Sequence, residues 1–128
     1  MFRPVLLRGG CYTLSMTSDA ELLRQYAERD SQESFAELLS RHLDLVYSTA
    51  LRQVSGEVQL AQDVAQTVFI DLARKAARLS RHPSLTGWLY TSAYFAGCKA
   101  ARTEHRRRVR EQEAQTMQEL LRANPPED

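Results

Sequence analysis

Helical periodicity is the feature that most constrains the fold of this chain. From about residue 19 to residue 121, apolar residues recur every three or four positions, and no stretch alternates apolar and polar residues with the β-branched content of a strand. The sequence therefore predicts an all-α fold: a three- to four-helix bundle with a long C-terminal helix. About a hundred residues are enough for such a bundle to bury a core unaided.

Start and stop signals divide this region into four predicted helices. They run over about residues 19–28, 31–55, 57–79 and 85–121. Gly56 stands where the second helix should end, because glycine readily adopts the left-handed conformation of a helix terminus. A loop containing Pro83 precedes the fourth helix. The apolar stripes of these helices are the expected core. On the second helix they are Phe35, Leu38, Leu39, Val46, Ala50 and Val54, and on the third Ala61, Val64, Ala65, Val68, Leu72, Ala76 and Leu79. On the fourth, a narrow small-residue stripe of Leu89, Ala93, Ala96 and Ala100 suits close packing on another helix.

The two ends of the chain differ from this helical region. Residues 1–15 show no periodicity and are predicted to be a flexible N-terminal extension, because the good N-cap residues begin only at residues 17–19. Residues 16–122 are the predicted helical domain. Residues 123–128 carry two prolines and are interpreted as the start of a linker.

Composition excludes several classes of protein. Hydrophobic residues make up 43% of the chain, yet no apolar run approaches the roughly 20 residues of a membrane-spanning helix. The two cysteines, Cys11 and Cys98, are too far apart for a disulfide framework or a zinc-finger spacing. These features favour a reducing, cytoplasmic setting and no membrane association.

Little in the sequence points to catalysis. The three histidines have no ligand spacing, and no glycine-rich phosphate loop, nucleophile elbow or HExxH motif occurs. Carboxylates at helical spacing, such as Asp63 and Asp71, are more often solvated than paired for acid–base chemistry. We therefore expect no enzyme activity, no cofactor and no metal.

Charge is distributed unevenly along the chain. Residues 16–73 carry a net charge of −6, whereas residues 74–110 contain ten basic residues and only Glu104 as an acid, a net charge of +9. Such a segment suggests a surface that binds a polyanion, and a solvated arginine-rich helix is an equally good interpretation.

A helical wheel of the fourth helix places aromatic and cationic side chains on one line. The residues within about 40° of this line are Trp88, Ser92, Phe95, Lys99, Arg102, Arg106 and Arg110, all of them aromatic or cationic except Ser92. This mixture suits single-stranded nucleic acid, because rings stack on bases while cations neutralise phosphates. Core packing is the favoured interpretation for Trp88, near the helix start, whereas Phe95, one turn before Lys99, is weakly favoured as exposed.

Two motifs, in their order and spacing along the chain, resemble region 2 of sigma-70 family RNA polymerase sigma factors, specifically the extracytoplasmic-function (ECF) group. The first is Ala61-Gln62-Asp63-Val64-Ala65-Gln66-Thr67-Val68-Phe69-Ile70-Asp71-Leu72. The second, after a proline-containing loop, is Gly87-Trp88-Leu89-Tyr90, followed by Arg102 and the Arg106-Arg107-Arg108 run. The similarity covers about residues 19–112.

The resemblance implies a bacterial transcription initiation module that binds the β′ coiled coil of the RNA polymerase core. The positions carried over for this contact are Asp63, Gln66, Thr67 and Ile70. A carboxylate and an amide one turn apart can receive arginine forks from a basic partner helix. Family members commonly have Glu at the position of Thr67, so this chain lacks one expected charge pair.

The resemblance also implies binding to the single-stranded non-template DNA of the promoter −10 element. The loop at 81–87 would hold an extruded base, and the DNA-binding positions would be Trp88, Thr91, Phe95, Lys99, Arg102 and Arg106. Family members often have Asn where Phe95 stands and Asp or Asn where Lys99 stands. Since Phe can only stack and Lys mainly meets phosphate, we expect altered or relaxed base preference.

Region 4, the helix-turn-helix domain that follows region 2 in such sigma factors, is absent from this sequence. We therefore expect incomplete promoter recognition. The alternative function is a protein-interaction module or truncated remnant that binds polymerase or an anti-sigma factor without productive DNA recognition.

Overall fold

The computed structural model describes residues 17–124, which form five α-helices and contain no strand. The helices are α1 (Asp19–Arg29), α2 (Gln32–Gln53), α3 (Val58–Arg74), α4 (Ala76–Leu79) and α5 (Leu85–Ala123). The predicted all-α bundle with a long C-terminal helix is confirmed. The proposed N-terminal extension and most of the proposed linker lie outside the described residues, as does Cys11.

Local polar contacts fix where the helices begin and end. Ser18, Ser31 and Ser84 each accept a hydrogen bond from the backbone N–H three residues further along, at 3.0–3.2 Å. Such caps stabilise a helix by about 0.5–2 kcal/mol. At the α2–α3 turn, Ser55 and Gly56 have φ angles of 56° and 81°. The predicted left-handed end of the second helix is therefore confirmed at Gly56.

The predicted third helix is in fact two helices, and the prediction of one continuous helix is wrong at Lys75. This residue has φ −108° and ψ 16°, so α3 ends before it and α4 begins after it. Leu72 on α3 and Leu79 on α4 are both buried. Because α4 also packs against α1, tertiary packing accounts for a break that no glycine or proline signals.

The core lies where α2 contacts α1, α3 and α5. Its largest fully buried side chains are Leu23, Leu38, Val46, Thr49, Val68, Leu72 and Leu89. The α3 and α4 stripe expected from the sequence is buried throughout, and Phe69 joins it. Phe35 and Leu39, expected on the buried side of α2, are only partly buried.

The first helix is held to the second by a charged cluster. Arg41 donates to Asp19 Oδ1 at 3.0 Å, and His42 Nε2 lies 2.8 Å from Asp19 Oδ2. His42 is buried, so its role here is to join α1 to the bundle.

A glycine allows α5 to approach α2 closely. Gly97 is buried, and a Cβ added there would lie 2.7 Å from Gln53 Cβ, which is closer than real Cβ atoms come. Leu89 and Ala93 of the predicted small-residue stripe are fully buried, and Ala96 is partly buried. The stripe therefore packs as predicted, and Gly97, which was not predicted, is where α5 comes closest to Gln53 of α2.

Candidate functional site

Three polar side chains and one apolar side chain form an exposed ridge on α3. Asp63, Gln66, Thr67 and Ile70 are all exposed, and Ile70 leaves 53% of its surface accessible. Their spacing of three, four and seven residues from Asp63 puts them on one helix face. We call this surface the α3 ridge. It contains every residue that the sequence assigned to polymerase binding.

Hydrogen bonds within α3 decide what the ridge presents to a partner. The Thr67 hydroxyl donates to the Asp63 backbone carbonyl at 3.0 Å, so it is already used by its own helix. Gln59 donates to Asp63 Oδ1 at 3.3 Å, a contact that still leaves Oδ2 to accept from another donor. The ridge therefore offers a partly engaged carboxylate, an amide and an apolar tip.

An apolar groove runs beside the ridge, between α2 and α3. Its volume is about 560 Å³. The residues that line it are Phe35, Leu39, Leu43, Asp44, Tyr47, Gln62, Ala65, Gln66, Phe69, Ile70 and Ala73. Gln66 and Ile70 belong to both surfaces, so groove and ridge are continuous.

Sequence reasoning did not identify this groove. The signal was available, because residues 35, 39, 43 and 47 repeat every four positions on α2 and form a continuous line along one side. Two of them, Phe35 and Leu39, were assigned to the core. Leu43 was not singled out, although the structure leaves 48% of it exposed.

A second exposed surface lies on α5. Thr91, Phe95, Lys99, Arg102 and Arg106 are all exposed, and Phe95 has 64% of its surface accessible. We call these five residues the α5 face. A phenylalanine this exposed, one turn before Lys99, makes little contribution to the core.

Trp88 differs from the other candidate DNA-binding residues. It is only partly exposed and packs against the core cluster. The ammonium of Lys75 lies 5.9 Å from the centre of its ring, within range of a cation–π interaction. The preference for core packing at Trp88 is therefore partly met, since the side chain packs against the core and is still partly exposed.

The arginines of α5 fall into two groups according to their partners. Arg107 pairs with Glu104 and with Glu111, while Arg108 pairs with Glu104 at 3.1 Å and with Glu57 in the turn between α2 and α3. The other α5 cations up to residue 110 have no ion-pair partner within residues 17–124: Lys99, Arg102, Arg106 and Arg110.

This pairing shifts two pKa values. The hydrogen bond from Arg107 lowers the pKa of Glu104, and the nearby charges of Arg107 and Arg108 add to the effect. The same hydrogen bond raises the pKa of Arg107. Glu104 thus stays ionised and occupied by two arginines, whereas the cations of the α5 face remain available to an external anion.

The segment before α5 is exposed, as the expected base pocket requires. Residues 81–84 are all accessible, and the Ser84 backbone N–H donates to His82 Nδ1 at 3.1 Å. The loop that the resemblance implies over 81–87 extends too far at its end, because the Ser84 cap starts α5 at Leu85. Thr86 and Gly87 therefore lie in the first turn of α5.

No alternative chemistry competes with these surfaces in the part of the chain that the structure describes. Within residues 17–124, no group of three His, Cys, Asp or Glu side chains could hold a metal ion. None of the described helices is both long and apolar enough to span a bilayer. Cys98 donates to Gln53 Oε1 at 3.4 Å and is a minor packing contact between α5 and α2.

The family is established by comparison with known proteins. The model of the Sigma-70 region 2 family matches residues 38–110, which is more than half of the chain and spans most of α2 and all of α3 and α4. The chain therefore belongs to the Sigma-70 region 2 family. This is a domain of sigma factors, which act in transcription initiation with RNA polymerase core and promoter DNA, and it is not a catalytic domain. No curated protein and no solved structure is significantly similar to the chain.

Proposed function

We propose that this domain works as the region 2 module of an ECF sigma factor in the cytoplasm. The α3 ridge binds the β′ coiled coil of core RNA polymerase, and the α5 face binds the melted non-template strand of the −10 element. One observation carries the proposal: the residues of the α3 ridge and of the α5 face are all exposed, and they lie on two different helices of one bundle.

The polymerase half of the proposal is supported by the combination of ridge and groove. Asp63 and Gln66 are one turn apart and accessible, which suits bidentate contacts from arginines on a partner helix. The adjoining groove is apolar and open, which suits the apolar stripe of the same helix. Ridge and groove together resemble a helix-in-groove site with a polar rim.

The DNA half is supported by the free cations and the exposed ring of the α5 face. Lys99, Arg102 and Arg106 can each neutralise a phosphate without breaking an internal ion pair. Phe95, one turn before Lys99, offers its exposed ring to a base. An anti-sigma factor that covers either surface would regulate the module.

Retention on bacterial core RNA polymerase tests the proposal. We expect Asp63→Arg to abolish retention while leaving helicity intact, because a cation would then face the basic partner helix. Glu28→Arg is the matched control, since it makes the same charge change at an exposed position of α1. Equal retention of the wild type and the Asp63 variant would overturn the assignment of the ridge.

Transcription tests both halves together. A complex that is retained on the polymerase should initiate from a template whose −10 element is already unpaired. Retention without initiation, and without binding to single-stranded DNA, would instead support an interaction module that lacks DNA recognition.

A further inference from the structure

The second half of α5 exposes apolar side chains that the bundle does not use. Every residue from 105 to 124 is exposed. Among them, Val109, Met117, Leu120 and Leu121 each leave 43–57% of their surface accessible. Because a helix is stabilised mainly by packing of its apolar side, a projecting segment with such side chains is a candidate for contact with another molecule.

These side chains continue the line of the α5 face. Eight exposed residues follow one another along α5 at intervals of three or four, which is the spacing of one helix face. We call them the α5 seam: Phe95, Lys99, Arg102, Arg106, Val109, Glu113, Met117 and Leu120. The seam is therefore aromatic and basic in its first half, and acidic and apolar in its second half.

The charge of α5 changes sign along the seam. Residues 99–110 include six basic residues and only Glu104 as an acid, whereas residues 111–119 include three glutamates and no basic residue. Neither Glu113 nor Arg102 has an ion-pair partner within residues 17–124. A partner that complements the whole seam must carry the same two halves in the opposite order. A second copy of α5 that runs antiparallel to the first has this arrangement.

One antiparallel register matches both the apolar and the charged residues. When Phe95 of one copy lies opposite Leu120 of a second copy, Arg102 lies opposite Glu113, because both pairs are centred between residues 107 and 108. Twofold symmetry makes each contact twice, over a length of about 38 Å at 1.5 Å per residue. Parallel pairing would instead set each cation of the seam beside its own copy, which like charges disfavour.

We propose that the α5 seam is a self-association surface, at which two copies of this chain pair through antiparallel α5 helices. The pair covers Phe95 and Arg102, which also belong to the α5 face. The dimer therefore excludes single-stranded DNA from that face, and this consequence alone rests on the proposed DNA-binding function.

Sedimentation equilibrium of the full chain tests the pairing. We expect the mass to rise from that of one chain to that of two between low micromolar and near-millimolar concentration. Added salt should favour the monomer, because charge pairs at the surface are screened. The mass of one chain at every concentration would overturn the proposal. Growth beyond two chains would overturn the closed antiparallel pair.

Charge reversal tests the register. Glu113→Arg should weaken self-association by at least about tenfold, because it sets two cations against each other, and Arg102→Glu should do the same with two carboxylates. The double variant Arg102→Glu/Glu113→Arg should restore pairing. Glu119→Arg is the matched control, since it makes the same charge change at an exposed position of α5 that lies off the seam. Equal weakening in the control, or no recovery in the double variant, would contradict this pairing.

An apolar contact is tested separately from the charges. Leu120→Gln should also weaken self-association, because it removes the side chain that faces Phe95 of the second copy. Circular dichroism should show unchanged helicity, since Leu120 is exposed and takes no part in the core. Unchanged self-association of this variant would contradict the register.

Single-stranded DNA separates this inference from the proposed function. A thymidine oligomer of about twelve nucleotides, within the usual site size, should convert the dimer into a complex that contains one chain. A chain that dimerises without binding the oligomer would support self-association and overturn DNA binding. An oligomer that binds while the dimer persists would show that the pairing leaves the α5 face open, and would overturn the antiparallel seam.

Discussion

The two exposed surfaces of this bundle differ in the physical means by which each could bind a partner. The α3 ridge adjoins an apolar groove and presents the Asp63 carboxylate, whereas the α5 face combines an exposed ring with cations that have no internal partner. Proposed binding at the ridge and groove would combine one charged contact at Asp63 with apolar burial that excludes water, so salt should weaken it only moderately. Binding at the α5 face depends on phosphate contacts and should weaken steeply with salt.

A similar contrast occurs within α5 itself. Arg107 and Arg108 are engaged by Glu104 and neighbouring carboxylates, while Arg102 and Arg106 are not. The number of arginines in a sequence therefore overstates the charge available to a polyanion. Only the cations that have no internal partner can bind phosphate without first losing an existing contact.

The largest effect is expected from a double substitution that removes two of the unpaired cations. In Arg102→Ala/Arg106→Ala, affinity for single-stranded DNA should fall about twentyfold at 0.1 M salt, because each phosphate contact on a single strand contributes about 0.7 to the salt slope. Retention on polymerase should be unchanged. The control is Arg107→Ala, which removes a paired arginine of the same helix. Equal losses of affinity in the two variants would show that internal ion pairing does not determine which arginines bind DNA.

The reciprocal change places a charge in the groove. Leu43→Glu should weaken retention on polymerase by at least about tenfold, or 1.4 kcal/mol, because the partner helix would bury an unpaired carboxylate. Binding to single-stranded DNA should stay within about twofold of the wild type, since the cations of the α5 face are untouched. Leu43→Met, which conserves volume, is the control for the loss of leucine. Unchanged retention of the Glu variant would exclude the groove from the interface.

A smaller effect is expected where α5 crosses α2. Gly97→Ala should lower the free energy of unfolding by about 1 kcal/mol, because overpacking against Gln53 costs about 1–3 kcal/mol while the better helix propensity of alanine offsets part of it. Chemical denaturation measures this change. In a Gln53→Gly background the same substitution should cost less, and an equal cost in both backgrounds would contradict the close contact.

The smallest effect comes from releasing the paired arginines. Glu104→Gln should raise affinity for single-stranded DNA by about twofold, since Arg107 and Arg108 lose one partner each and keep Glu111 and Glu57. A decrease in affinity would contradict this reasoning.

The same variant should also alter the acid dependence of folding. Because the pKa of Glu104 is lowered in the folded state, its stabilising effect is complete at pH values above its ordinary pKa of about 4.5 and is lost as pH falls through the lowered value. Thermal unfolding between neutral pH and pH 3 should thus be slightly less acid-sensitive in Glu104→Gln than in the wild type.

Much of the fold was predictable from the sequence, because helix signals here are local. The N-cap residues at 17–19, Gly56 and the apolar periods placed the first, second and last helices within a few residues of their observed ends. The break at Lys75 was not predictable, since it results from packing of α4 against α1 rather than from a local signal. Gly97 was likewise missed as the closest point between helices, because its partner Gln53 is distant in the sequence.

The individual residues of the candidate site were predictable from the sequence, whereas the surfaces that they form together were not. The exposure of Asp63, Phe95 and Arg102 followed from motif and helical wheel. The groove was missed because its two walls come from different helices, and ion pairing across the chain, such as that of Arg108 with Glu57, cannot be inferred from charge counts. Whether these surfaces bind polymerase and DNA stays a prediction.

The crossing at Gly97 also governs the direction in which the second half of α5 points. Arg110 lies thirteen residues further on, which is a lever of about 20 Å at 1.5 Å per residue. A tilt of about 5° at the crossing would move its guanidinium by nearly 2 Å, which is enough to lose a hydrogen bond to a phosphate. A bulkier residue at this position would misalign the helix with a DNA strand while every contacting side chain remained intact.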